Sequence, residues 1–204
     1  MTTGVSTGGA ARRLSSAARR EEIVVAAREV FCAKGFAGGR MRAIAERAGV
    51  TEPLLYRHFS SREELYRLAV EDHLATLLDD AVARADRLAA DPDLEGPELV
   101  RALVRVHLEV MAEIAPVASV ALYEEPVRGR RLYQAVVRPR LRDAAASLHR
   151  AATGRDLPAG RENLVAVSLL GVPFGVALDS MMRGEAVDVD DMTDRISLLF
   201  QRRP

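Results

Sequence analysis

The chain of 204 residues has no Trp, only 4% aromatic residues and a single cysteine, Cys32. Each scarcity removes a class of protein. One cysteine cannot close an intramolecular disulfide, and no Cys/His spacing suggests a zinc site, so the composition fits a reducing cytoplasm. The start, rich in Thr, Gly and Ser, lacks the long apolar core of a secretory signal, and export is not expected. The most apolar stretch, residues 164–178, carries no charge. It is shorter than the roughly 20 residues that span a bilayer, and it reads as a buried helix with no membrane role. Alternating strand patterns, internal repeats and low-complexity body segments are also missing.

What remains is an apolar content of 49% drawn mainly from Ala, Val and Leu, a composition that favours helices. The 29 basic and 29 acidic residues balance overall. Their distribution does not. Residues 1–67 hold twelve Lys/Arg against seven Asp/Glu, whereas residues 68–204 hold seventeen against twenty-two. A basic N-terminal third on an acidic remainder is what a small DNA-binding module with a separate body would show.

Residues 1–16 read as a disordered basic arm with Arg12 and Arg13. From residue 17, Ile23, Ala27, Val30 and Phe31 fall on one face of an amphipathic helix that should stop at Gly35. A loop with Gly38 and Gly39 leads to a short helix over 41–48, with Met41, Ile44, Ala45 and Ala48 inward, ended by Gly49. Thr51 is the expected cap of a third helix over 52–59, whose first turn tolerates Pro53. Ser60 or Ser61 then caps a long helix from Arg62 to about residue 89, closed by the breaker cluster over 91–97.

The stretch 98–115 confines its polar residues to Arg101, Arg105, Glu109 and Glu113 and reads as the central helix of the body. Pro116 is expected to interrupt it, a shorter helix follows to about residue 125, and residues 126–129 form a turn. A helix over 130–153, kinked at Pro139, an all-round apolar helix over 161–183 and an amphipathic last helix with Val189, Met192, Ile196, Leu199 and Phe200 complete the set. The expected fold is all-α, with about nine helices and no sheet. It divides into an arm (1–16), a helix-turn-helix domain (17–67) and a ligand-binding and dimerisation domain (68–204).

Two short helices around Gly49 make a helix-turn-helix, the second being the reading helix. With Leu55 and Phe59 turned to the core, the opposite face presents Pro53, Tyr56 and Arg57, flanked by Glu52 and His58. These are donors, acceptors and a flat ring suited to phosphates and base edges. Tyr56 read alone is equally a packing aromatic and His58 a helix-end cation; Arg42 and Arg47 read as solvated charge or as phosphate contacts. Cys32 reads as a small packing residue.

Val30 with Phe31, Gly35 with Phe36, Ile44 with Ala45, the run Ala48, Gly49 and Val50, Leu55 with Tyr56, His58 with Phe59, and Arg62, Glu63, Glu64 and Leu65 stand in register. Over residues 20–67 this pattern resembles the N-terminal signature of the tetracycline-repressor (TetR) family. The resemblance implies that Tyr56 and His58 touch the DNA backbone, that Glu52 and Pro53 approach bases, and that Arg62 replaces the usual lysine as a phosphate contact. Arg40 stands where the family often has Ser or Thr, so a charged contact replaces a hydroxyl one. Leu54 meets a thymine methyl or packs against sugar.

For the body the resemblance implies a small-molecule cavity and dimerisation through the last two helices. Candidate pocket residues are His107, Met111, Tyr123, Phe174 and Met181, with His107 read either as a ligand contact or as a hydrogen-bonded core histidine. Candidate dimer residues are Leu170, Phe174, Ile196, Leu199 and Phe200. The implied protein is a homodimeric transcription regulator, a repressor released from a palindromic double-stranded operator by a small, largely apolar effector, with no cofactor and no metal. The rival readings are a helix-turn-helix regulator without a ligand and a small all-helical enzyme. For the enzyme no nucleophile–base pair, carboxylate dyad or metal spacing can be picked out.

Overall fold

The computed structural model describes residues 15–153, 155–158, 160 and 162–200, with side chains at all of these except 148, 151–153, 162–170, 199 and 200. The expected basic arm lies outside the described residues apart from Ser15 and Ser16, where the first helix begins. Eight helices and no strand occur among the described residues: α1 (Ser16–Gly38), α2 (Met41–Ala48), α3 (Glu52–His58), α4 (62–89), α5 (Gly96–Tyr123), α6 (126–153), α7 (Glu162–Arg183) and α8 (Val189–Phe200).

Helix α1 starts at Ser15, whose side chain accepts the Ala18 N–H at 3.1 Å. Its expected stop is a sharp bend instead. Gly35 takes φ 69° and ψ 177°, a backbone region open essentially only to glycine, and one further turn follows to Gly38. Ile23, Ala27 and Phe31 are fully buried beneath α2 and α4. Cys32 is half-buried against this core, and burial pushes its thiol above the ordinary range.

Three helices contain a π turn, a wide turn that absorbs one extra residue: Arg67–Glu71 in α4, Ser119–Tyr123 in α5 and Tyr133–Val137 in α6. They correct two expectations. Pro116 does not break the chain; the helix runs through it, and the Ser119 hydroxyl donates to the Ala115 carbonyl at 2.7 Å on entry to the wide turn. The two helices expected on either side are one, hence eight rather than nine. Pro126 opens α6 as its first helical residue, where its missing N–H needs no partner, so residues 126–129 are a helical turn. Pro139 follows the third π turn, and Arg140 Nη1 donates to the Val136 carbonyl there at 3.0 Å.

Helix α5 is the body's axis and packs against α4, α7 and α8. By length and composition it could cross a membrane, yet more than half of that window is buried inside the protein, with Leu108, Met111, Ile114, Ala115 and Ala118 all in the core. Arg101 and Arg105 pair with Asp194 and Asp190 across to α8.

Candidate nucleic-acid interface and effector cavity

The α2–α3 turn is built by Gly49 at φ 64° and ψ 33°, the left-handed conformation that lets the Val50 N–H reach back to the Ala45 carbonyl at 3.0 Å. Thr51 occupies the cap position of α3, but its hydroxyl makes no cap bond, contrary to expectation; its carbonyl accepts from Leu54 and Leu55 at 3.0 and 3.3 Å. Arg40 caps α2 with backbone only. Gly39 beside it is required by contact: a Cβ there would lie 2.2 Å from the Phe31 ring.

With Leu55 and Phe59 buried, α3 turns Glu52, Pro53, Tyr56 and Arg57 to solvent, with Leu54 and His58 half-buried at the flanks. Tyr56 is 53% exposed, which for an aromatic in a chain so poor in them is surface without a structural use in the subunit. Arg40 is exposed on the same module, and Arg42 is exposed with its guanidinium 3.0 Å from Glu46. Arg47 bridges α2 to α1 through Glu29 at 2.5 Å, a structural use of that charge. Arg62 stacks over the Phe36 ring at 4.2 Å.

The step from α3 to α4 is held by a capping box. Ser61 accepts the Glu64 N–H at 3.1 Å, while the Glu64 carboxylate accepts the Ser60 N–H at 2.7 Å and the Ser60 hydroxyl at 2.6 Å. The bonds from Ser60, with Arg20 behind, hold the Glu64 carboxyl below its ordinary range. A depressed carboxyl contributes stability that is present above its unfolded pKa and is lost as pH falls through the folded one. Glu64→Ala is therefore expected to cost about 1 kcal/mol at neutral pH, with the gap from wild type closing in acid below the ordinary glutamate range. Thermal melts of both proteins from pH 7 to pH 3 check this; a gap independent of pH would assign the cost to packing.

Head and body meet at an aromatic and ionic junction. Tyr66 of α4 stands edge-on to Phe31 at 5.1 Å and to Phe36 at 4.9 Å, and its hydroxyl donates to the Val120 carbonyl at 3.4 Å. Burial pushes that hydroxyl up to about 12, so it remains a donor at any working pH. Arg128 of α6 covers the Tyr66 ring at 4.4 Å and pairs with Glu71 at 2.5 Å. Glu124, one residue beyond the α5 π turn, accepts the N–H groups of Phe36 and Ala37 at 2.5 and 3.1 Å, just after the Gly35 bend. A Cβ at Gly35 would stand 2.4 Å from the Glu124 carboxylate. Gly35 is thus fixed by its own backbone and by its partner in the body.

Immediately behind this junction lies a cavity of about 320 Å³. Its walls are Leu74 and Leu78 of α4, Met111, Ile114 and Ala118 of α5, Val137 and Leu141 of α6, and Phe174 of α7, with Tyr123 and Tyr133 at positions that remain 67% and 40% exposed. The lining is almost wholly apolar. Of the expected pocket residues, Met111, Tyr123 and Phe174 come together here, His107 lines a recess beside it, and Met181 is not part of the wall. A larger groove of about 680 Å³ runs between α1 and α2, but it is open and walled by Glu21, Glu22, Glu29 and Arg47, which suits solvent better than an apolar guest. Among the described residues no group of His, Cys, Asp or Glu is placed to hold a metal.

The family model for bacterial regulatory proteins of the tetR family matches residues 23–69. The HTH-type transcriptional activator FasR of Mycolicibacterium smegmatis is 43% identical over 67 residues, 33% of this chain and 30% of FasR. The chain spans about a third of the length of the curated relatives it matches. The solved TetR-like regulator from Rhodococcus sp. RHA1 superposes with TM-score 0.66 at 26% identity, covering 91% of this chain and 94% of that one. Residues 23–69 are a TetR-family DNA-binding module. The shared fold extends beyond that module: FadR from Bacillus subtilis, solved with stearoyl-CoA, aligns over 88% of this chain and 96% of its own with TM-score 0.65 at 16% identity.

In this chain the expected dimer residues part company. Leu170, Leu199 and Phe200 have side chains outside the described residues. Phe174 faces the cavity, and Ile196, 5% exposed, packs on Val104 and Leu108 of its own α5. An amphipathic stripe on a terminal helix cannot say which neighbour it covers. Among the described side chains of α7 and α8, large apolar groups reach solvent at Val172 and Met182 on α7 and Leu198 on α8, 39%, 76% and 66% exposed. Gly175, between the first two at helical spacing, has nothing within 4 Å of where a Cβ would be.

Proposed function

We propose that this chain is a DNA-binding transcriptional repressor that works as a cytoplasmic homodimer, grips a pseudo-palindromic operator through α3 and is released by a largely apolar effector in the body cavity. The observation that carries the reading is one continuous helix. Helix α4 begins beside the exposed face of α3, crosses the aromatic junction at its π turn and then places Leu74 and Leu78 in the cavity wall. The proposed division between DNA-binding head (17–67) and effector body (68–204) falls inside that π turn.

A guest that spreads the cavity acts on the head by two routes: along α4, and through Tyr123 on the wall to Glu124 and the two N–H groups it holds in the head. Release requires the guest to prefer the DNA-incompetent arrangement, and a preference of about 1–3 kcal/mol shifts operator affinity roughly 5–150-fold. A long alkyl or acyl chain is the guest class that suits the apolar wall, and FadR, which shares the fold, was solved with stearoyl-CoA. On α3, Tyr56, His58, Arg57, Glu52, Pro53 and Leu54 are the proposed DNA contacts, with Arg40, Arg42 and Arg62 at the phosphates.

The test has two stages. Sequencing of genomic fragments retained by the purified protein should return an inverted repeat, and decan-1-ol titrated into the protein–operator complex should free the DNA. Retained fragments with no common repeat would sink the operator reading. An unchanged operator affinity with decan-1-ol bound in the body would sink the release reading alone.

Two-fold symmetry of the operator needs two-fold symmetry of the protein. The exposed Val172, Met182 and Leu198, with open space at Gly175, are the proposed dimer face. Met182→Glu with Leu198→Glu is expected to turn a micromolar dimer into a monomer in sedimentation equilibrium while leaving the helical signal intact. A wild-type chain that sediments as a monomer at that concentration would refute the assignment.

A further inference from the structure

His107 is the polar residue buried in the middle of the central helix, 7% exposed on the side of α5 that meets α4 and α6. Its Nδ1 lies 2.6 Å from the Leu103 carbonyl oxygen one turn earlier. A carbonyl only accepts, so Nδ1 carries the proton and donates. Burial pushes the imidazole below its ordinary range, which leaves it neutral at pH 7. Nε2 is then an acceptor, and it sits on the ring edge turned away from the helix backbone. Among the described residues no donor meets it. The enclosed side-chain polar atoms without a partner among the described residues are Thr193 Oγ1 and Ser197 Oγ; Nε2 is not one of them, so it is open to the space in front of the ring, where a guest's donor can take the place of water.

The space in front of the ring is a recess of about 20 Å³, room for one water-sized group. It shares the side chains of Leu78, Met111 and Leu141 with the large cavity, so the two spaces are neighbours parted by those side chains. Its other polar wall is Arg140. That guanidinium spends Nε and Nη2 on Asp79 at 2.7 and 2.9 Å and Nη1 on the Val136 carbonyl at 3.0 Å, three of its five N–H bonds. Its charge is already matched by Asp79, and two N–H bonds remain. The recess thus offers one acceptor and spare donors with no net charge.

We propose that the effector is an apolar molecule bearing a hydroxyl, seated with the hydroxyl in this recess, donating to His107 Nε2 and accepting from Arg140, and with its apolar remainder in the large cavity. The assignment rests on the reading of that cavity as the effector site. A carboxylate fits worse, because it has no proton for Nε2 and would bring an unmatched charge beside a guanidinium already paired. An ether of the same chain has the acceptor and lacks the donor, and it would leave Nε2 unfilled.

The test is isothermal titration of the full chain with decan-1-ol, its methyl ether and decanoate. The wild-type protein is expected to bind the alcohol at least tenfold more tightly than either of the others. His107→Leu should bring alcohol and ether within twofold of each other without weakening the ether, and His107→Gln, which keeps a hydrogen-bonding side chain, should restore part of the preference. Equal affinity of the wild type for alcohol and ether overturns the assignment and leaves the cavity reading in place; so does a preference that survives in a folded His107→Leu protein. Binding of none of the three removes the cavity reading and this assignment with it. The wild-type comparison decides the matter even where the leucine variant does not fold.

Discussion

Gly129→Ala is expected to lower the unfolding free energy by about 1–3 kcal/mol, the usual range for forcing an extra carbon into a packed core. Gly129 is buried in the first turn of α6, and a Cβ there would stand 2.0 Å from the Leu122 carbonyl oxygen and 2.7 Å from its carbon. The obstacle is backbone in the α5 π turn and cannot swing aside as a side chain would. Helix α6 must move away, carrying Arg128 off Glu71 and the Tyr66 ring. Urea unfolding measures the loss, and an unchanged midpoint would mean that α6 is not seated on that carbonyl. Because the site lies at the junction, operator affinity should change with it.

Tyr56→Ala is expected to weaken operator binding by about 1–3 kcal/mol while leaving the melting temperature close to wild type. The two halves of that expectation come from the same observation: a ring 53% exposed contributes little to the subunit's own core and is available to a phosphate or a base edge. Tyr56→Phe separates hydroxyl from ring. If Arg57 meets a phosphate, Arg57→Ala should lower the dependence of log K on log salt by about one unit. Fluorescence anisotropy with the selected operator at several salt concentrations reads both. Wild-type affinity in a folded Tyr56→Ala protein would take this residue out of the interface.

The head was legible in the sequence because each of its features is local. Gly49 needs a left-handed backbone within one turn of Ala45, Leu55 and Phe59 repeat at helical spacing, and Ser61 with Glu64 is a capping pair three residues apart. The misreadings arose where distant atoms decide. Pro116 was expected to break a helix, yet the Ser119 hydroxyl and a wide turn let the chain continue, and nothing in composition announces an inserted residue. The stripe of Ile196 was legible but not its neighbours within the subunit, Val104 and Leu108, which stand 92 and 88 residues earlier. The cavity was legible only as Met111, Tyr123 and Phe174, because a void is the difference between what the helices enclose and what their side chains fill. Tyr133, Val137 and Leu141 joined it through the phase of α6, which its π turn resets. Glu124 gave no sequence signal, because its partners are backbone N–H groups that every residue possesses.

That resetting gives the wide turns a meaning in the history of the chain. Each π turn holds one residue more than an α turn of the same span, so losing a single residue from Arg67–Glu71 would leave an unbroken α-helix and rotate everything beyond it by about 100° about the axis of α4. Single-codon insertions and deletions at such a point preserve helix and hydrogen bonding but change the heading of a whole lobe. In a two-fold assembly the change is applied twice, in opposite senses, and the separation of the two α3 helices shifts with it. Operator spacing in such a lineage can therefore diverge by indels in α4, far from any residue that touches a base.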